Sequence, residues 1–166
     1  MTTPIPEPEL DELYRELILD HYRSPRNRRK LAHPTAESEG YNPLCGDEIE
    51  VALEIEAGRV KDAAFNGRGC SISQASGSMM TEALKGRTID EVRELTGAFT
   101  KMMTDPGEEP PEVLGDLEAF QGVAKFAVRV KCATLAWRTL EDALKERNGG
   151  PSTGSGRGRE GEGGRE

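Results

Sequence analysis

Apolar positions along this chain follow two periods, and the switches between them mark its elements. From Leu10 to Tyr22 the chain carries apolar or aromatic residues at Leu10, Leu13, Tyr14, Leu17, Ile18 and Tyr22, on one helical face. That spacing predicts an amphipathic helix, which Pro25 stops. The basic stretch "RSPRNRRK" reads as a solvated loop. Ile49, Val51, Leu53 and Ile55 then alternate with Glu48, Glu50, Ala52, Glu54 and Glu56. A period of two predicts an antiparallel strand with one buried and one wet face. Gly58 suits a tight turn, "RVKDAAF" returns as a second strand, and residues 36–41 are a candidate third.

After Gly69 the helical period resumes. Ile72, Ala75, Met79, Met80, Ala83 and Leu84 share a face, and Gly86 ends the helix. "TIDE" forms a capping box, with Thr88 as cap and Glu91 at the third position. It opens a helix that runs to about Met103, with Ile89, Val92, Leu95 and Phe99 inward. "TDPGEEPPE" is a loop and Glu112 to Phe120 a candidate short helix. A last helix follows Cys132, with Leu135, Leu140, Ala143 and Leu144 on one stripe. Strands followed by helices predict an α+β fold, a small three-stranded antiparallel sheet packed against helices. The domain spans residues 1–147. Residues 148–166, rich in Gly, Ser, Arg and Glu, lack the apolar surface to offset ordering and are predicted to be a disordered tail.

Composition narrows the function. A length of 166 residues suits one domain with flexible ends, and aromatics at 5% leave the core mostly aliphatic. A net charge of −8 argues against a nucleic-acid surface, which would be basic. No run approaches the apolar length of a membrane span, and "MTTPIPEPELDELY" lacks the apolar core of a secretory signal. A cytoplasmic, reducing setting is the expectation. There, three widely spaced cysteines suit metal binding or chemistry better than disulfides.

Each cysteine sits at a predicted boundary: Cys45 in the loop before the first clear strand, Cys70 and Cys132 at helix starts. A helix N-terminus favours a thiolate, and Arg68, Arg129 and Lys131 add positive charge nearby. If Asp47 joins the cysteines, three sulfurs and a carboxylate make a donor set suited to tetrahedral zinc. The spacing is not that of a compact zinc module, because 24 residues separate Cys45 from Cys70 and 61 separate Cys70 from Cys132. A Cys–His nucleophile pair would need His21 or His33, and His21 lies near its helix's apolar face, where packing is the better reading. "NGRGCS" lacks a Walker sequence.

Four stretches, "LYRELILDHYRSPRN", "NPLCGDEIEV", "GRGCSISQASGSMM" and "RVKCATLAW", resemble the SufU branch of the IscU/NifU-like iron–sulfur cluster assembly proteins. The resemblance runs from about Leu10 to Arg147. It implies that Cys45, Asp47, Cys70 and Cys132 bind one zinc ion. It further implies a pyridoxal-phosphate cysteine desulfurase of the SufS type as sulfur donor, a downstream iron–sulfur scaffold as recipient, and Cys45 as the sulfur acceptor. A histidine of the donor would replace Cys45 on the zinc. Arg129 matches the branch's "RxKC" pattern and would support the anionic site. The scaffold branch carries histidine where this chain has Lys131, and has a shorter stretch between Cys70 and Cys132. Both departures favour sulfur transfer over the alternative, a scaffold holding a [2Fe–2S] cluster on the same cysteines. A third reading is a structural zinc module.

Overall fold

A computed structural model describes residues 6–105 and 109–149, with the side chains of 6–13 and 147–149 outside that description. Helix α1 covers Pro6–Arg23. Strands β1 (Ala36–Asn42), β2 (Asp47–Glu56) and β3 (Arg59–Arg68) follow, then α2 (Ser71–Leu84) and α3 (Ile89–Thr104). A 3-10 segment (Glu112–Lys125) leads into α4 (Ala127–Gly149). The antiparallel sheet has the order β1-β2-β3. The side chains of Leu10 and Leu13 lie outside that description, and so does the tail beyond residue 149. No helix among the described residues is long and apolar enough to cross a membrane.

The alternation in β2 does what its period requires. Ile49, Val51 and Leu53 are buried, while Glu48 and Glu56 are exposed on the other face. Ala57 and Gly58 join β2 to β3 with φ of 55° and 77°, the left-handed pair that a tight hairpin needs. Ile55 faces Val60 while Glu54 faces Asp62, so Lys61 is the extra residue of a bulge. That extra residue is why "RVKDAAF" does not alternate strictly.

Helix α4 crosses the inner face of β1 and β2, and α2 covers β3. The approach of α4 is close enough that a Cβ at Gly40 would overlap the Thr139 side chain. The few aromatics concentrate where α3, the 3-10 segment and α4 meet. Phe99 stacks on Trp137 at 4.6 Å and meets Phe120 edge-on at 5.7 Å. The capping box on Thr88 and Glu91 forms as expected.

Two expectations fail. The "RSPRNRRK" stretch is not a solvated loop but a strap along the open edge of β3. Phe65 N–H donates to the Asn27 carbonyl at 3.0 Å, and Arg29 N–H donates to the Phe65 carbonyl at 3.1 Å. Arg28 reaches Gln74 at 2.9 Å. An unpaired edge strand needs such cover, and charge composition alone does not reveal it. The last helix also begins at Ala127, before Cys132 rather than after it. Phe126 to Lys131 is too short a run to show its period against the preceding turn.

His21 packs, as its place on α1 suggests. It is buried, with Nδ1 2.7 Å from Ser78 Oγ. Ser78 Oγ also accepts the Arg26 N–H at 2.8 Å, which ties α1 and the following turn to α2 through one hydroxyl. Burial, and then the nearby Arg26 guanidinium, hold His21 below its usual value of 6.5. The unfolded chain therefore binds this proton more readily. His21's contribution is complete above pH 6.5 and is lost as pH falls through the lower folded-state value. Thermal melts should show wild-type stability dropping more steeply below pH 6.5 than that of His21→Gln. Parallel pH profiles would refute this.

Candidate metal centre

The hairpin between β1 and β2 presents the first two functional side chains. Asn42 faces Asp47 across the strand pair, leaving residues 43–46 as a four-residue loop. Gly46, with φ of 72°, donates its N–H to the Asn42 carbonyl at 2.8 Å, and Cys45 N–H donates to the same oxygen at 3.3 Å. This closes the turn so that Cys45, half-buried, and Asp47, fully buried, point to the same side. Cys132 comes from α4 and is fully buried. Its sulfur lies 3.2 Å from that of Cys45. One donor atom from each of Cys45, Asp47 and Cys132 falls within 4.8 Å of the others.

Cys70 completes the neighbourhood from a different direction. It is the residue before α2, and its backbone N–H donates to Asp47 Oδ1 at 2.9 Å. The carboxylate is thereby held by one oxygen. Gly69 makes this possible, because a Cβ there would overlap both the Asp47 carboxylate and the Ser73 hydroxyl. Cys70 lies outside the 4.8 Å group, though its sulfur is close enough to Cys132 to act on its ionisation. The Arg129 side chain sits at the same edge. The cysteine sulfurs, Cys70 foremost, raise its pKa and so favour its cationic form.

The structure corrects one electrostatic expectation. Cys132 is the sixth residue of α4, beyond the first turn where a helix N-terminus favours anions. Burial, followed by the Cys45 and Asp47 side chains, pushes its thiol well above the ordinary value. The bare site thus keeps Cys132 protonated, and a bound cation is needed to draw out its thiolate. Cys70 does stand at a helix start, as expected. His21 lies in the α1–α2 junction and His33 is exposed, and neither joins the donor group.

Asn42 and Gly69 are the residues that sequence reading missed. Asn42 is buried, and its side-chain amide lies 3.4 Å from Asp47 Oδ2 and 3.8 Å from Cys132 Sγ. Its Oδ1 accepts the Leu44 N–H at 3.3 Å. One side chain therefore steadies two donors and the loop that carries a third. Their only sequence signal is adjacency to Cys45 and Cys70. Asn42→Ala should lower metal affinity by about 10–100-fold, the usual cost of losing an outer partner. Competition with a chromogenic chelator measures it, and an unchanged affinity would remove Asn42 from the site.

The donor set fits zinc. An ion about 2.0–2.3 Å from each donor needs donors roughly 3.3–3.8 Å apart; the Cys45 and Cys132 sulfurs are 3.2 Å apart and the Asp47 donor lies within 4.8 Å of both. A third sulfur stands beside them, and two of the donors are shielded from water.

Comparison with known proteins identifies the family. The NifU-like N terminal domain family matches residues 13–133. The chain is 45% identical over 141 residues to the zinc-dependent sulfurtransferase SufU of Bacillus subtilis, covering 85% of this chain and 95% of that protein. It is 43% identical over 135 residues to the iron–sulfur cluster assembly scaffold protein IscU of Thermotoga maritima, covering 81% and 94%. Among solved structures, a nitrogen-fixing NifU-like protein (N-terminal) from Brucella abortus aligns with a TM-score of 0.76 at 27% identity, over 86% of this chain and 99% of that one. A SUF-system protein of Fervidobacterium islandicum, provisionally assigned as a cluster assembly scaffold, aligns with a TM-score of 0.73 at 37% identity, over 78% and 95%. The chain belongs to the NifU-like N-terminal domain family and is a SufU-type member of it.

Proposed function

We propose that this protein is a zinc-dependent sulfur acceptor that takes persulfide sulfur from a SufS-type cysteine desulfurase and passes it on to iron–sulfur cluster assembly. The observation that carries the reading is the asymmetry of the donor set. Asp47 and Cys132 are fully buried on a strand and inside a helix, whereas Cys45 is half-buried in a four-residue loop. The loop sulfur is the one free to move. The zinc-dependent sulfurtransferase relative supports the same role.

Cys45, Asp47, Cys70 and Cys132 would hold the ion, whose contribution is to keep the sulfurs as thiolates at neutral pH. The Cys45 thiolate attacks the terminal sulfur of the donor's cysteine persulfide. The donor's S–S bond breaks, its cysteine leaves as thiolate, and Cys45 carries the sulfur as a new persulfide, with no net oxidation. Asn42 and the Cys70 N–H keep Asp47 in place while the loop moves. Arg129 supports the extra negative charge. Lys131 stands where the scaffold branch carries a metal-binding histidine, and lysine is not a usual metal ligand, which weighs against the cluster-scaffold reading.

The test is metal content followed by desulfurase turnover. About one zinc per chain, strong stimulation of the cognate desulfurase, and loss of both on chelation are the expected results. Zinc-loaded protein that leaves the desulfurase unstimulated would overturn the proposal. A stable coloured cluster that reconstitutes more tightly than zinc and transfers to an apo-protein would favour the scaffold instead.

A further inference from the structure

Five large apolar side chains stand exposed among the described residues: Tyr22, Tyr41, Leu44, Phe126 and Val128. All but Tyr22 belong to the two segments that carry Cys45 and Cys132. Tyr41 and Leu44 flank the β1–β2 turn, and Phe126 and Val128 open α4. Exposed apolar groups gathered at one place mark a surface that meets a partner.

From Phe126 this surface falls into a groove of about 790 Å³ between α1, the start of α2, the 3-10 segment and α4. Ile18, Leu19, Ile72 and Val123 give it an apolar lining. Its charged residues are Arg15, Lys125 and Arg129, and among the described residues no acidic one lines it. In a chain of net charge −8 this is a local reversal of sign. Arg15 and Lys125 have no ion-pair partner among the described residues.

We infer that the groove seats an acidic segment bearing apolar side chains, contributed by the sulfur donor that reacts at Cys45. This rests on the sulfur-acceptor reading. An apolar lining supplies affinity, and unpaired cations select carboxylates over other apolar segments. A nucleic acid would meet the repulsion of the acidic remainder and has no use for the lining. Arg129 belongs both to the groove and to the cluster of sulfurs. A carboxylate in the groove competes with those sulfurs for the guanidinium, so occupancy of the groove is felt at the site of transfer.

The experiment uses the full zinc-loaded chain and the purified cysteine desulfurase of the same organism, with calorimetric titration at low and high salt. The double variant Arg15→Glu/Lys125→Glu should weaken binding about tenfold or more and flatten its salt dependence. Phe126→Ala, at an exposed position where folding is not at stake, should weaken it about fivefold. Arg93→Glu, on the exposed side of α3, is the control and should change nothing. Groove variants that bind within twofold of wild type, while wild type stimulates the desulfurase, overturn this inference and leave the sulfur-acceptor reading intact. Sedimentation in which wild type dimerises and the groove variants do not assigns the groove to a second copy and likewise overturns it. A wild-type protein that neither binds nor stimulates the desulfurase sinks both.

Discussion

Cys45→Ser is expected to abolish sulfur acceptance while leaving the fold in place. A serine hydroxyl is not ionised at neutral pH and does not attack a sulfane sulfur, so transfer should fall by at least about 100-fold. The stability cost should be small, about 0.5 kcal/mol or less in the metal-free protein, because Cys45 is half-buried in a loop whose Pro43, Leu44 and Gly46 are exposed. Its backbone N–H, bonded to the Asn42 carbonyl, is unaffected by the change. Mass spectrometry after incubation with desulfurase and cysteine reads the outcome. A sulfur adduct on the Cys45→Ser protein, at Cys70 or Cys132, would transfer the acceptor role. The structure argues against Cys132, which is fully buried.

Asp47→Ala should have the second largest effect, on metal rather than on folding. In the four-donor site proposed above it removes one donor outright, so affinity should fall by more than the roughly 10–100-fold that an outer partner costs. It also deletes a fully buried carboxylate whose hydrogen-bond partners are the Cys70 N–H and the Asn42 amide. The two effects oppose each other in the metal-free protein. Loss of a desolvated charge offsets the N–H left without its acceptor, so the apo unfolding midpoint should move little. The stabilisation that zinc adds depends on its affinity and should shrink. The measured quantity is the difference between holo and apo melting temperatures. An unchanged difference would exclude Asp47 as a ligand, and a mutant unfolded in both states would make it a structural residue instead.

The legibility of this protein follows the range of the interactions concerned. The alternating run in β2, the helical faces of α2 and α3 and the Thr88 capping box are each set by residues within a few positions of one another. Their patterns are visible along the chain. The four ligand candidates were named through the resemblance of the four quoted stretches, because cysteines 24 and 61 residues apart give only a weak metal signal by spacing. The strap over β3 was not readable, because Asn27 and Arg29 bond to Phe65 through their backbones. Backbone pairing leaves no trace in side-chain composition. The start of α4 was misplaced for a related reason. Phe126 and Val128 are exposed apolar residues that break the stripe expected of a helix face.

Residue order alone determined the α+β class, the hairpin at Gly58, and which side chains could serve a metal, because period and donor chemistry are local properties. Only the tertiary structure decided how those donors differ. It places Cys45 on a loop, buries Cys132 past the first turn of α4, and aims the Cys70 N–H and the Asn42 amide at Asp47. It also joins Arg129 to an apolar groove that no acidic residue lines among the described residues. These distinctions depend on contacts between residues as many as 90 positions apart. Burial and dielectric environment arise only when such segments meet, and they leave Cys45 half-buried on a loop, Cys70 half-buried at a helix start and Cys132 fully enclosed.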